Sequence, residues 1–263
     1  MKTKIYFVDA FTDTPFTGNP ACVAIIPEPR DDSWMQKLAF EVNFSETAFL
    51  HQRDDGFDLR WFTPRIEVDL CGHATLAAAH LIWECGFQPP EQEISFHTKS
   101  GILTAKKNED RIEMGFPALY PRPEEFNPEF LDIFKISPTY AGMFDGKLMF
   151  EVEKEEDVLA LDPDFSRLKK HDGRAVLVTA KVENKDYDFV SRYFAPWVGV
   201  NEDPVTGTSH CCLAVYWSRQ LDKPELRAYQ ASPRGGYLTT RVEGDRVILG
   251  GQAVTTMAGE ILV

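Results

Sequence analysis

The chain contains itself twice, and no other property limits its fold as strongly. Gly101-Ile-Leu-Thr-Ala-Lys-Lys-Asn-Glu-Asp-Arg-Ile-Glu-Met-Gly115 and Gly236-Tyr-Leu-Thr-Thr-Arg-Val-Glu-Gly-Asp-Arg-Val-Ile-Leu-Gly250 are equally long and share Gly, Leu, Thr, Asp, Arg and Gly in register. The offset, from position 101 to position 236, also carries Gly72 onto Gly207 and Ala79 onto Ala214. Further upstream, Trp61-Phe-Thr-Pro64 resembles Tyr193-Phe-Ala-Pro196 at an offset shorter by three, which places a three-residue insertion between Pro196 and Gly207. A run of matches in one order marks a duplicated structural unit.

Each copy has the same plan. A strand (22–26, then 148–152) precedes a helix, which in the first copy places Trp34, Leu38 and Val42 at four-residue spacing. Two strands follow in a hairpin arrangement, 47–52 and 57–62 across the turn 53–56, then 175–182 and 188–194. The second helix, 74–85 before Gly86, is apolar nearly all round, and so is its counterpart 209–217. A helix without a polar face must be enclosed. The expected fold is therefore α+β, with two pseudo-symmetric lobes, each a curled, mostly antiparallel sheet around one central helix. Clustered prolines (Pro117, Pro121, Pro123, Pro128) set the boundary, giving lobes 1–118 and 119–263. The segment 254–263 has no partner in the first copy, which leaves it as a candidate to return to the first lobe.

Composition narrows the partners. Of 263 residues, 41 are acidic and 28 basic, a formal charge of −13 that repels polyanions. Nucleic acid and acidic lipid surfaces are therefore not expected partners, whereas a small anionic substrate at a helix N-terminus is compatible with that charge. No signal-peptide pattern opens the chain and no apolar run nears the roughly 20 residues of a membrane span. Five scattered cysteines (22, 71, 85, 211 and 212) suit a reducing cytosol, so a cytoplasmic protein is expected. Without a CxxC pair or HExxH, no metal site is expected.

If each lobe wraps its helix, the helix N-terminus is the natural opening. The segments Asp69-Leu-Cys-Gly-His73 and Glu202-Asp-Pro-Val-Thr-Gly-Thr208 lead into the two helices, each with glycine at the first turn. Glycine lets a ligand approach N–H groups that have no intrahelical partner, and the helix dipole favours an anion there. Two such ends facing each other would make a cleft for an anion.

These segments, with Asp9-Ala-Phe-Thr-Asp-Thr-Pro-Phe-Thr-Gly-Asn-Pro20, Asn43-Phe-Ser-Glu-Thr-Ala-Phe49 and Cys71-Gly-His-Ala-Thr75, resemble the PhzF-like proteins of phenazine biosynthesis. That family shares its fold with diaminopimelate epimerase. The resemblance runs nearly end to end, and it implies a homodimeric isomerase without metal or organic cofactor. It makes Glu46 the general acid/base, with His73 and Asp203 holding substrate and assisting proton movement. Ser45, Gly72, Gly207 and Thr208 become substrate contacts, and a dihydro-hydroxyanthranilate analogue a model substrate. Thr208 departs from the family, where serine is frequent.

The residues alone support less. A carboxylate enclosed in a cleft suits a proton shift if burial raises its pKa, but an isolated glutamate is usually an exposed strand residue. Taken alone, His73 reads as a residue that caps or packs at a helix start, and Asp203 before Pro204 as an N-cap that can also contact substrate. His80 and His210 read as structural. Cys71 at a helix start suits an amino-acid racemase with one thiol per lobe, yet the second lobe offers Asp203 where a cysteine is needed. Cys211 and Cys212 sit a full turn too far along. A binding protein that retained the fold is the remaining alternative, against which Glu46, His73 and Asp203 all argue.

Overall fold

The computed structural model describes residues 3–183 and 186–262. The first copy runs β1 (Lys4–Ala10), β2 (Asn19–Ile25), α1 (Asp32–Val42), β3 (Thr47–Arg53), β4 (Gly56–Phe62) and β5 (Glu67–Val68). It continues with α2 (Gly72–Glu84), β6 (Ile94–Thr98), β7 (Gly101–Asn108) and β8 (Arg111–Pro117). After α3 (Glu129–Phe134) the second copy runs β9 (Tyr140–Phe144), β10 (Lys147–Glu151), α4 (Glu155–Leu159), α5 (Phe165–Leu168), β11 (Val176–Lys181) and β12 (Phe189–Ala195). A 3-10 turn (Pro196–Val198) leads to β13 (Val200–Asp203), α6 (Gly207–Leu221), β14 (Glu225–Gln230), β15 (Gly236–Glu243) and β16 (Arg246–Gly251), and β17 (Ala253–Glu260) ends the chain.

Two compact units result, one of residues 1–115 with 250–263 and one of residues 116–249. In the first unit, β1 and β2 pair antiparallel, β2 and β3 parallel, β3 and β4 antiparallel. The short β5 pairs antiparallel with β4, β6 lies parallel to β4, and β7 closes a hairpin on β6. β17 pairs antiparallel with β1, from Lys4 opposite Glu260 to Ala10 opposite Ala253. Apart from the β1/β17 pair, the second unit repeats these steps: β9/β10 antiparallel, β10/β11 parallel, β11/β12 antiparallel, β12/β13 antiparallel, β12/β14 parallel and β14/β15 antiparallel. The sequence repeat is thus a repeat of pairing topology, and the fold is the α+β, diaminopimelate epimerase-like one.

The central helices are as enclosed as their composition requires. In α2, His73 to Ala79 and Leu81 to Trp83 are all buried, and the helix packs on β1, β2, β3 and β17. The second, α6, is longer than 209–217; its buried run includes Ser209 to Trp217, and it packs on β14 and β15. The three-residue insertion falls between Pro196 and Glu202, where the chain makes a 3-10 turn (Pro196–Val198) with Gly199 as its cap.

The sequence reading needs four corrections. The opening strands β1 and β9 were not anticipated; both are held by antiparallel partners rather than by an apolar alternation of their own. On α1 the buried positions are Met35 and Ala39, with Trp34 and Leu38 packed beside them against Phe49 and Phe62, so the face is rotated from the Trp34–Leu38–Val42 line. In the second copy this helix is broken into α4 and α5, because Pro163 lies between them and cannot continue a helical ladder. Finally, Asp203 is not an N-cap. It ends β13 opposite Tyr193, and Thr206 stands at the N-cap of α6.

Candidate active site

Glu46 is delivered by the end of α1. Asn43 adopts the left-handed conformation (φ 57°) that stops the helix, and its N–H bonds the Ala39 carbonyl at 3.0 Å. The next residue, Phe44, packs edge-on against Phe7 with ring centroids 4.6 Å apart. That contact fixes the turn through Ser45 and Glu46 into β3. The Glu46 carbonyl then accepts the Cys22 N–H at 3.4 Å, extending the β2/β3 ladder by one rung.

The N-terminus of α2 meets this carboxylate. Cys71 is the N-cap, in extended conformation and without a side-chain cap. Its carbonyl accepts both the Thr75 N–H (3.1 Å) and the Thr75 hydroxyl (2.6 Å), which locks the first turn. His73 projects so that Nε2 lies 3.3 Å from Glu46 Oε2, while Nδ1 lies 3.5 Å from Cys71 Sγ. The imidazole therefore stands between a thiol and a carboxylate. Cys71 and His73 are buried, and the Glu46 side chain retains 21% of its exposure. Burial pushes the Glu46 carboxyl above the usual carboxylate value, and hydrogen bonds from Ser45 and Cys71 offset part of that rise. A raised carboxyl beside an imidazole can both accept and return a proton. Among the described residues, Glu46, Cys71 and His73 are also the cluster able to hold a metal ion, with donor atoms all within 4.8 Å of one another.

The corresponding end of the second unit is built differently. The Asp203 carboxylate accepts a hydrogen bond from the Thr206 hydroxyl. The fully buried Gln230 braces the turn, donating to the Asp203 carbonyl at 2.7 Å and accepting the Thr206 N–H at 2.8 Å. Gly207 is buried and Thr208 exposed at the start of α6. His210 is wholly buried, with Nδ1 2.8 Å from the Thr206 carbonyl, in keeping with a structural role.

Strand register identifies the counterparts across the repeat. Thr47 lies opposite Phe62 as Val176 lies opposite Phe194, and the Ala175 carbonyl accepts the Leu148 N–H as the Glu46 carbonyl accepts that of Cys22. Ala175 is therefore the counterpart of Glu46. The two N-caps, Cys71 and Thr206, correspond, as do His73 and Thr208. Trp61 faces Val68 as Tyr193 faces Asp203, so the aspartate replaces a valine and not the cysteine, as the sequence reading had it. The duplication survives in the strand pairing and is lost in the chemistry.

The first unit also has a cavity of about 390 Å³ lined by Arg30, His51, Arg60, His97 and Lys99 with Phe49 and other apolar groups. It does not include Glu46, Cys71 or His73. Its basic side chains are largely engaged: Arg60 pairs with Glu67 and Asp32, and Lys99 with Glu67, while His97 Nε2 lies 3.3 Å from Asp55. The acid/base cluster is consequently the stronger candidate for chemistry.

The sequence profile described as "Phenazine biosynthesis-like protein" matches residues 8–259. The chain belongs to this family. It is 53% identical to an uncharacterized isomerase of Halalkalibacterium halodurans over the whole of both chains. Among solved structures, a PhzF family phenazine biosynthesis protein from Enterococcus faecalis is 40% identical over the full length of both, with a TM-score of 0.94. A hydroxyproline epimerase from Agrobacterium vitis, 14% identical over 99% of this chain and 94% of its own, shares the fold at a TM-score of 0.63. With full-length relatives named as isomerases, the chain is an isomerase of the PhzF-like family. None of its described helices is long and apolar enough to cross a membrane.

Proposed function

We propose that this chain moves a single proton between two carbon atoms of a small, carboxylate-bearing cyclic substrate, with Glu46 as the only general acid/base. The observation that supports the reading is the pairing of a half-buried Glu46, its carboxyl raised by burial, with His73 at 3.3 Å, while the equivalent position of the second copy is Ala175. One carboxyl that takes a proton from one carbon and returns it to another is sufficient for isomerisation. Two-base inversion needs a second, oppositely placed base, and Thr206 at the position equivalent to Cys71 is a poor one because an alcohol is far less acidic than a thiol.

In this reading Glu46 removes the proton as a carboxylate, and the resulting carboxylic acid delivers it. His73 orients the carboxyl and hydrogen-bonds the substrate. N–H groups in the first turn of a central helix hold the substrate carboxylate, where the dipole favours negative charge. Asp203, Ser45, Gly72, Gly207 and Thr208 are proposed substrate contacts, and a dihydro-hydroxyanthranilate analogue is the starting substrate class. We also propose a homodimer, which light scattering on the purified chain tests.

The direct experiment is incubation with a panel of cyclic amino and hydroxy acids in D2O. Wild type is expected to place deuterium in one of them and Glu46→Gln to place none. Equal incorporation by both proteins excludes Glu46 as the base.

A further inference from the structure

We propose that Glu46, Cys71 and His73 together form a mixed-donor site for a borderline divalent cation of the zinc type, and that its occupancy silences the acid/base group. Only the consequence for activity rests on the function proposed above; the binding site does not.

The donor set is one thiol, one imidazole and one carboxylate, the ligand types zinc takes up most readily. Magnesium and calcium, which require oxygen ligands, are excluded by the sulfur and nitrogen. The spacing also fits. Zinc bonds of about 2.3 Å to sulfur and 2.0–2.1 Å to nitrogen put tetrahedral S and N donors roughly 3.5 Å apart. Cys71 Sγ and His73 Nδ1 are 3.5 Å apart already. Glu46 faces the other ring nitrogen, so its carboxylate has to move round the ring edge to share an ion with Cys71; with one donor atom taken from each residue, the three atoms already lie within 4.8 Å of one another. Bringing the widest such pair to tetrahedral spacing takes a shift on the order of 1 Å. Glu46 is the least buried of the three and the one with the longest flexible stem, so that shift falls on the residue best able to make it.

The backbone around the site is rigid where rigidity helps. The thiol and the imidazole leave α2 at its N-cap and second helical position, and Thr75 locks that turn through two bonds to the Cys71 carbonyl. The helix dipole places roughly half a positive charge beside the site and opposes a cation. The same dipole stabilises a thiolate. Once Cys71 and Glu46 have released their protons, their two negative charges neutralise the ion, so the bound complex is close to neutral. A fourth tetrahedral position remains for water. With its lone pair on the metal, Glu46 cannot accept a substrate proton.

The test needs no substrate. The purified, chelator-treated protein is titrated with Co2+ and then with Zn2+. One equivalent of Co2+ is expected to saturate visible ligand-field absorption together with a near-ultraviolet sulfur-to-cobalt band, and Zn2+ to abolish both. Cys71→Ser should lose the sulfur band, and Glu46→Gln should keep it while binding about tenfold or more weakly. In the unsubstituted protein, one equivalent of Zn2+ should slow iodoacetamide alkylation of Cys71, followed by mass spectrometry, at least tenfold and leave the exposed Cys85 unchanged. That second measurement decides the matter even if Cys71→Ser fails to fold. Absence of saturable Co2+ absorption, or equal alkylation of Cys71 with and without Zn2+, overturns the site and leaves the role of Glu46 in deuterium exchange untouched.

Discussion

Arg192 holds Glu202 through two parallel hydrogen bonds, Nε to Oε1 at 2.7 Å and Nη2 to Oε2 at 2.9 Å. Arg60 holds Glu67 in the same way, at 2.7 and 2.8 Å. The guanidinium groups also lie over Phe194 and Phe62, 5.1 and 5.2 Å from the ring centroids. Each pair staples a short strand, β13 or β5, to the long strand beside it just before the chain enters a central helix. The repeat has kept this device on both sides while changing the chemistry next to it. Asp203 directly follows Glu202, so the second pair fixes the backbone that carries a proposed substrate contact.

The two pairs should differ in energetic weight. Arg192 and Glu202 keep 11% and 12% side-chain exposure, and Arg192 also donates to the Leu161 carbonyl at 2.6 Å. Removing one partner leaves a buried charge uncompensated. Arg192→Met is expected to cost about 3–5 kcal/mol in urea denaturation. Arg60 is more exposed, at 26%, and Glu67 keeps Lys99 when Arg60 is lost. Arg60→Met should cost about 1 kcal/mol. The reverse order of costs contradicts this account.

Glu46 should leave a signature in stability as well as in catalysis. Its carboxyl is raised above the reference value of 4.5 by burial. Between the unfolded and folded pKa values the native state binds more protons than the unfolded chain, so stability falls as pH rises through that window. The contribution is fully present below about 4.5 and lost above the folded value. Glu46→Gln cannot ionise, so its denaturation midpoint should fall less than that of wild type from pH 4 to neutrality. Parallel curves for the two proteins exclude a raised carboxyl.

How much of this was legible in the sequence depends on whether a feature is local. The duplication was legible because its glycines and turn residues recur in register, and the central helices because residues 74–83 offer no polar face. The breaking of the second copy's first helix was written in Pro163 and overlooked. Arg60/Arg192 and Glu67/Glu202 sit at the repeat offsets and could have been paired from sequence. The approach of Glu46 to His73 could not. It depends on a turn through Asn43 and Phe44 and on parallel pairing of β2 with β3, neither of which spacing along the chain reveals. The reading of Asp203 as a cap, held beside its reading as a site residue, fails because Asp-Pro, though a common helix opening, stands too early here. Here Val205 and Thr206 intervene, and the Thr206 hydroxyl turns back to the carboxylate.

His210 should govern acid sensitivity. It is wholly buried beside Phe189, and desolvation pushes its pKa down to about 4 from 6.5. In the unfolded chain the ring charges as pH drops below about 6.5, whereas in the folded protein it stays neutral until about 4. Unfolding therefore gains protons, and stability should fall by about 3 kcal/mol as pH falls across that interval. His210→Asn can still donate to the Thr206 carbonyl but does not titrate. Its denaturation free energy should lose this slope between pH 6.5 and 4, even if it starts from a lower value. An unchanged slope assigns the acid lability elsewhere.

Exchange kinetics should separate Cys71 from Glu46. If Glu46 is the base, Glu46→Gln should slow solvent deuterium incorporation by about 10²–10⁴-fold, the usual range for loss of a general acid/base group. Cys71 gives Glu46 a hydrogen bond that lowers its pKa, and in the proposed reading it transfers no proton. Cys71→Ser keeps a hydroxyl in that place, so it should retain activity within about tenfold. Its pH–rate profile should shift by a small amount, because the bond to Glu46 is altered and not removed. Should Cys71→Ser instead match Glu46→Gln in severity without loss of fold, the thiol is the base.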